Sequence, residues 1–322
     1  MTSDKKVEIV NSVAEFLPES IKHIILNLPL RVKNSLNEIR LRAGRPLSLT
    51  VDGQNVFLAT NGNVCYLQQH GLYIVNEQDI KNSFRLMCEC SVYAYSNQVK
   101  SGYITLKNGC RVGLAASAVY ENGEIINFSL ISSLNIRIAA EYIDCAKSLT
   151  NYLDNGLLIA GPPSSSKTTL LRDAVRIISN GIGTSRKRVA LIDTRMEIAC
   201  VKDGIPQNDV GILTDVITGC EKAEGIEIAL RTLNPEVIAF DEIGSLIEAD
   251  AVIKGFNAGA VCLTTAHVGS LDEIKDREVI KMLIKSNVIK NIAFIEKPNG
   301  VIRVFSAVSL IEKINSRGES IA

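Results

Sequence analysis

The stretch Gly156-Leu-Leu-Ile-Ala160-Gly161-Pro162-Pro163-Ser164-Ser165-Ser166-Lys167-Thr168-Thr169, running on through Leu170 to Ser179, decides the fold. Gly156 to Ala160 is apolar on both faces, as a central strand of a parallel sheet must be. Thr168 to Ser179 repeats its apolar positions at helical spacing. Between them lies a loop of Gly, Pro and Ser. A strand, such a loop and then a helix beginning at Lys-Thr is the setting in which a chain cradles phosphates. Backbone N–H groups from Gly161 to Ser166 and the positive helix N-terminus would hold the anion. Lys167 would reach β- and γ-phosphates, the Thr168 hydroxyl would bind Mg²⁺, and Thr169 would complete the loop. The pattern G-x-x-x-x-G-K-[ST] is met except that Ser166 stands at the second glycine. Without its flanks the segment would be an ordinary strand–turn–helix with a chance lysine.

Moving outward, Val237-Ile-Ala-Phe-Asp241-Glu242 is an apolar strand ending in two carboxylates. An apolar strand ending in Asp-Glu is common, but paired with a phosphate loop it acquires a role at the carboxyl end of a parallel sheet, where ligands bind. Asp241 would hold Mg²⁺ through water, and Glu242 would orient and deprotonate the attacking water. Two further polar clusters follow strands on the same edge: Asp193-Thr-Arg195-Met-Glu197 after Val189–Ile192, and Thr264-Thr265-Ala-His267 after Ala260–Leu263. Alone, His267 would read as a structural histidine. Its place after the strand next in sequence to Asp241-Glu242 makes it a candidate γ-phosphate sensor, with Glu197 the alternative base should Glu242 not serve.

Alternating strands and helices from Gly156 to Thr265, with a helix over Leu246–Asn257 and a closing hairpin Ile292–Ile295 and Val301–Phe305, predict a mainly parallel α/β domain over 146–322. Residues 1–145 predict a smaller α+β domain. Val7–Phe16 and Glu77–Cys90 read as helices. Glu38–Arg42 alternates with period two, Ile39 and Leu41 inward. Leu47–Val51 and Gln54–Leu58 flank an Asp52-Gly53 turn, and Tyr103–Leu106 and Cys110–Leu114 flank Lys107-Asn108-Gly109. Ser133–Ile138 is the last strand of that part.

Composition excludes other classes. Lys+Arg and Asp+Glu both number 35, the net charge is 0 and Trp is absent. A polyanion-binding domain ordinarily carries a basic excess, so no nucleic-acid partner is expected. Hydrophobic content of 46% suits a globular chain, not a disordered one. No apolar run approaches the ~20 residues that span a bilayer, and the charged start offers no signal-peptide core, so a cytoplasmic location is expected. The eight cysteines are scattered and read as free thiols.

Taken together, the phosphate loop, the Asp193–Glu197 box, Arg231 before the strand, Asp241-Glu242 and Thr264-Thr-Ala-His267 resemble the secretion-ATPase branch of P-loop motors. Glu38–Leu47, Tyr93-Ala-Tyr95, Gly109–Gly113, Ser133–Ile138, Cys220-Glu-Lys-Ala-Glu-Gly225 and Phe256-Asn-Ala-Gly259 extend this to the stage III sporulation AA family of endospore-forming bacteria. The resemblance spans about residues 36–280. It implies a RecA-like P-loop domain that binds ATP and Mg²⁺, a homo-hexamer, and a motor in the mother cell, peripheral to the membrane through a membrane-protein partner. It further implies that Arg137 extends from the N-terminal domain towards nucleotide and that Arg231 serves catalysis. Ser166, and Thr194 where the family carries a Glu, depart from the pattern. A nucleotide-gated scaffold with little turnover and a RecA-like nucleic-acid motor are the competing readings.

Overall fold

A computed structural model describes residues 3–312 apart from 108, 122, 140–141 and 298–299. The chain divides into two compact units, Met1–Glu141 and Tyr142–Ala322.

The first unit is built on an antiparallel sheet with strand order Val64–Cys65, Gln54–Leu58, Ser48–Val51, Leu36–Arg42, Glu124–Arg137, Arg111–Glu121 and Tyr103–Thr105. Ile39 and Leu41 are fully buried, as their alternation requires. They pack with Val10, Val13 and Ile21 of the first two helices and with Ile80 and Met87 of helix Glu77–Met87. That helix starts in a capping box: Asn76 accepts from the Asp79 N–H at 2.8 Å and Asp79 from the Asn76 N–H at 2.9 Å. Asp52 and Gly53 both have positive φ, 48° and 79°, the geometry of a two-residue turn matched to strand twist. The predicted strands Cys110–Leu114 and Ser133–Ile138 are the inner ends of much longer ones, Arg111–Glu121 and Glu124–Arg137. Their outer halves are exposed, so no burial alternation marks them in the sequence. Asn108 of the predicted turn lies outside the described residues.

The second unit carries a sheet with strand order Thr214–Ile217, Val189–Ile192, Val237–Phe240, Val261–His267, Leu157–Gly161, Asn291–Ile295 and Ile302–Ser306. All neighbours are parallel except the last pair, the predicted hairpin, whose turn at 298–299 is not described. The strands separate two cores. Leu157, Ile159, Val189, Leu191, Val237 and Ala239 face helix Lys167–Asn180. Leu158, Ala160, Ala190, Ile192, Ile238 and Phe240 face the opposite way, against helices Lys222–Thr232 and Leu246–Asn257. Burial on both faces is why these strands read as unbroken apolar runs. The edge strand Thr214–Ile217 and the helices Lys222–Thr232 and Glu278–Lys285 were not expected from periodicity.

Candidate functional site

Every parallel strand of the second unit ends at one edge, and the predicted clusters gather there. Gly161 and His267 are register partners on adjacent strands, and the Val268 N–H donates to Gly161 O at 3.1 Å. A Cβ on Gly161 would lie 2.5 Å from the Ile295 carbonyl oxygen and 2.8 Å from Ser165 Oγ, so only glycine fits where the strand enters the loop. Pro162 to Ser166 then lead into helix Lys167–Asn180. Ser164 and Ser166 both lie in the left-handed region, at φ 60° and 70°. Thr169 is half-buried in the first turn of the helix.

Lys167 is buried, with Nζ donating to Pro162 O at 2.6 Å and to Ser165 Oγ at 3.4 Å. Burial pulls its pKa below the usual lysine value; the nearby Asp241 and Glu242 carboxylates oppose that shift without cancelling it. Thr168 Oγ1 donates to Asp241 Oδ2 at 2.6 Å, and the Thr265 hydroxyl donates to Asp241 Oδ1. Thr265 Oγ1 in turn accepts the Glu242 N–H at 2.8 Å. The Thr168 hydroxyl and the Asp241 carboxylate thus present hard oxygen donors side by side, the ligand type Mg²⁺ takes.

Glu242 turns the chain at φ 57°, a conformation an L-residue adopts at a cost. Its Oε2 lies 3.2 Å from Arg195 Nη1 and its Oε1 3.7 Å from His267 Nε2. The box before it is organised by Asp193, which is buried and accepts the N–H groups of Glu197, Ile198 and Ala199 at 3.0, 3.1 and 2.8 Å. Burial pushes the Asp193 carboxyl up, and the three N–H donors restrain the shift. Arg172 donates to the carbonyls of Ile198 and Glu197 at 2.7 and 2.6 Å, tying this loop to the phosphate-loop helix. Glu197 lines a small cleft with Thr194, Arg195, Lys222, Asp241 and Glu242.

Within the second unit, one predicted residue is not brought into this cluster. Arg231 is exposed in the last turn of helix Lys222–Thr232. That helix starts beside Glu242, where Lys222 touches it, and runs to the other end of the sheet, where strand Val237–Phe240 begins. Arg137 belongs to the first unit, 69% exposed on its side chain and 3.4 Å from Glu38 Oε1. Conversely, the site contains residues to which sequence reasoning gave no role of their own. Arg195 and Thr265 lie inside the Asp193–Glu197 and Thr264–His267 segments. Lys222 lies inside the Cys220–Gly225 segment, 20 positions before Glu242, and only the fold brings the two together.

Comparison with known proteins agrees with this architecture. The family model described as sporulation stage III, protein AA, matches residues 4–308. Stage III sporulation protein AA of Bacillus subtilis is 35% identical over 279 residues, 85% of this chain and 87% of that one. Among solved structures, the pilus retraction motor PilT with bound ADP superposes with a TM-score of 0.57 at 17% identity, over 89% of this chain and 85% of that one. The ATPase DotB of Legionella pneumophila gives 0.54 at 15% identity, over 88% and 82%. The α/β fold, with its mainly parallel P-loop sheet after a smaller α+β region, is the one those ATPases share.

Proposed function

The chain belongs to the sporulation stage III, protein AA family, and from that premise we propose that it is a Mg²⁺-dependent ATPase serving as the motor of a secretion-like channel in endospore formation. The observation that carries the reading is the Asp241 carboxylate. One oxygen takes the phosphate-loop hydroxyl of Thr168 and the other takes Thr265, while Lys167 and Glu242 flank it. This is the arrangement that phosphoryl transfer needs, a cation for the phosphates beside an oxygen pair for the metal and a carboxylate for water.

In this reading Gly161 to Ser166 wrap the β-phosphate with backbone N–H groups, and Lys167 leaves the Pro162 carbonyl to neutralise phosphate oxygens. Thr168 and Asp241 would hold Mg²⁺, which would supply Lewis-acid neutralisation of phosphate charge. Glu242 orients a water and takes its proton. His267 and Arg195, on either side of the Glu242 carboxylate, report on the γ-phosphate side of the site, and Glu197 stands behind them. Arg231, at the far end of its helix, and Arg137 of the first unit are assigned to nucleotide contacts completed on assembly, in a homo-hexameric ring. The motor acts from the mother-cell cytoplasm on a membrane-protein partner; no helix among the described residues is long and apolar enough to cross a membrane itself.

The test is ATP turnover per subunit against protein concentration, with Glu242→Gln as control. A rate that climbs with concentration and vanishes in the variant supports the shared-site motor; a wild-type rate equal to the variant's overturns it. The left-handed Ser166 favours a second reading, a nucleotide-gated scaffold with little turnover. Single-turnover hydrolysis separates the two, since a scaffold binds ATP and leaves it intact.

A further inference from the structure

We propose that Lys222 is a positioning residue that holds Glu242 in its working conformation, an inference that rests on the reading of Glu242 as the base. Lys222 opens helix Lys222–Thr232, 20 positions before Glu242. Its ammonium donates to the Glu242 carbonyl oxygen, lies 3.3 Å from Glu248 Oε1 and sits 5.9 Å from the Phe240 ring centroid. Both side chains of the ion pair are largely buried, at 16% and 17% exposure. Glu248 also caps the next helix, its Oε2 accepting the N–H groups of Gly244 at 2.7 Å and Ser245 at 3.1 Å. The turn Glu242–Ser245 is therefore gripped at one end by Lys222 and at the other by Glu248, and the two grips are joined by their own ion pair.

The turn needs such a grip. A non-glycine residue at φ 57° sits in a sparsely populated region and persists there only where its surroundings determine it. Thr265 holds the N–H of Glu242 and Lys222 holds its carbonyl, so the peptide groups on both sides are fixed. That conformation aims the carboxylate between Arg195 and His267. The Ile243 N–H of the second of those peptides also donates to Thr265 O at 2.9 Å. Loss of Lys222 would therefore leave the turn on Thr265 alone, with the Glu242 carbonyl unpartnered and the carboxylate less firmly aimed at the water it must activate. Misplacement by about 1 Å costs up to ~100-fold in rate.

The experiment compares Lys222→Met, Lys222→Arg and Glu242→Gln with wild type. Lys222→Met should lower kcat roughly 10- to 100-fold while KM for ATP changes less than about twofold, and Lys222→Arg should recover part of the loss. Adding Glu242→Gln to Lys222→Met should give no loss beyond Glu242→Gln alone, because groups acting as a unit are not additive. A second readout is independent of turnover: amide hydrogen exchange at Glu242–Ser245 should speed up in Lys222→Met while helix Leu246–Asn257 stays protected. Unchanged exchange there, or independent and additive losses, overturns the proposal. A wild-type protein without hydrolysis would instead overturn the ATPase reading, with the exchange arm still deciding whether Lys222 holds the turn. Should Lys222→Met not fold, Glu248→Gln, which removes the charge paired with Lys222 but retains the capping oxygen, carries the same exchange comparison.

Discussion

Thr168 and Asp241 are joined by a hydrogen bond of 2.6 Å, although 73 positions separate them in the chain. The bond couples the phosphate loop to the strand that ends in the acidic pair, and it leaves the Thr168 oxygen free to accept a cation on its remaining lone pairs. Asp241→Asn keeps the shape and an acceptor for Thr168 but removes the charge. The expected outcome is a rise of ~10-fold or more in the Mg²⁺ concentration that half-supports ATP turnover, the scale on which metal-site carboxylates act, with little change in Tm. A Mg²⁺ titration checks it; an unchanged midpoint would place the metal elsewhere.

Glu242→Gln should leave nucleotide binding intact and cut hydrolysis by ~100-fold or more, the scale of general-base loss. Equal turnover would move the base to Glu197, which lines the same cleft. Binding by fluorescent nucleotide and turnover by phosphate release separate the two effects.

The phosphate loop, its helix and the acidic pair were legible because each combines a fully buried strand with an unmistakable polar stop. The helix Leu246–Asn257 was legible for the same reason that it is stable, an apolar face opened by the Ser245 cap. Other parts left weaker traces. Strand Thr214–Ile217 is an edge strand, half-exposed throughout, and carries no apolar run. Helix Lys222–Thr232 buries only Gly225, Ile226 and Ala229, too thin a stripe to register as periodicity. Within the site, the left-handed Glu242 is invisible in the sequence because no glycine marks it. The contacts of Lys222 are tertiary and leave no spacing to read. Arg231 looked close to the site because it precedes the acidic strand by a few residues, yet those residues span the sheet's far edge.

Lys167→Ala should abolish ATP binding while leaving the fold intact, because Lys167 is the lysine within the loop itself. Its lowered pKa adds a pH signature. A lysine whose folded pKa lies below its unfolded value of 10.5 is disfavoured while charged, so apo stability gains as pH climbs through the folded value towards 10.5. ATP affinity does the reverse over the same window, since the phosphates need the charged form. Calorimetry in alkaline buffers of different ionisation enthalpy should show proton uptake on ATP binding that disappears near neutral pH. Binding without proton uptake across that range would mean that Lys167 does not meet the phosphates.

Arg137→Ala should lower turnover and weaken ATP-dependent assembly with little effect on apo stability. Its exposed side chain makes an ion pair with Glu38 worth at most about 1 kcal/mol, the usual range for surface pairs. Sedimentation with and without ATP, beside turnover at several protein concentrations, tests this. Full activity at every concentration would leave Arg137 a surface residue paired with Glu38.

Ser166 carries the last prediction. It occupies the second glycine position of the loop, and its φ of 70° and ψ of 21° are those a glycine adopts freely and a serine does not. The residue is held there because the helix begins at its carbonyl, which accepts the Leu170 N–H at 3.0 Å. The strain is of order 1 kcal/mol, and Ser166 makes no side-chain cap bond to offset it. Ser166→Gly removes the strain in the folded state but adds freedom to the unfolded chain, so the net gain in stability is smaller than the strain itself. At the ligand, loss of the Cβ lets the backbone N–H groups approach the phosphates more closely. Against this, the serine hydroxyl could itself donate to a phosphate oxygen, as those of Ser164 and Ser165 could. In the proposed site the N–H groups of the loop would satisfy the phosphate oxygens, so the crowding should outweigh the lost donor. Ser166→Gly should therefore tighten ATP binding or raise turnover a few-fold, and no more than about tenfold, which corresponds to ~1.4 kcal/mol. Nucleotide titration and turnover on the same preparation, with Tm as the control for folding, decide it. A fall in both quantities would show that the Ser166 hydroxyl is a phosphate ligand and that this loop is an adapted variant of the glycine-rich form.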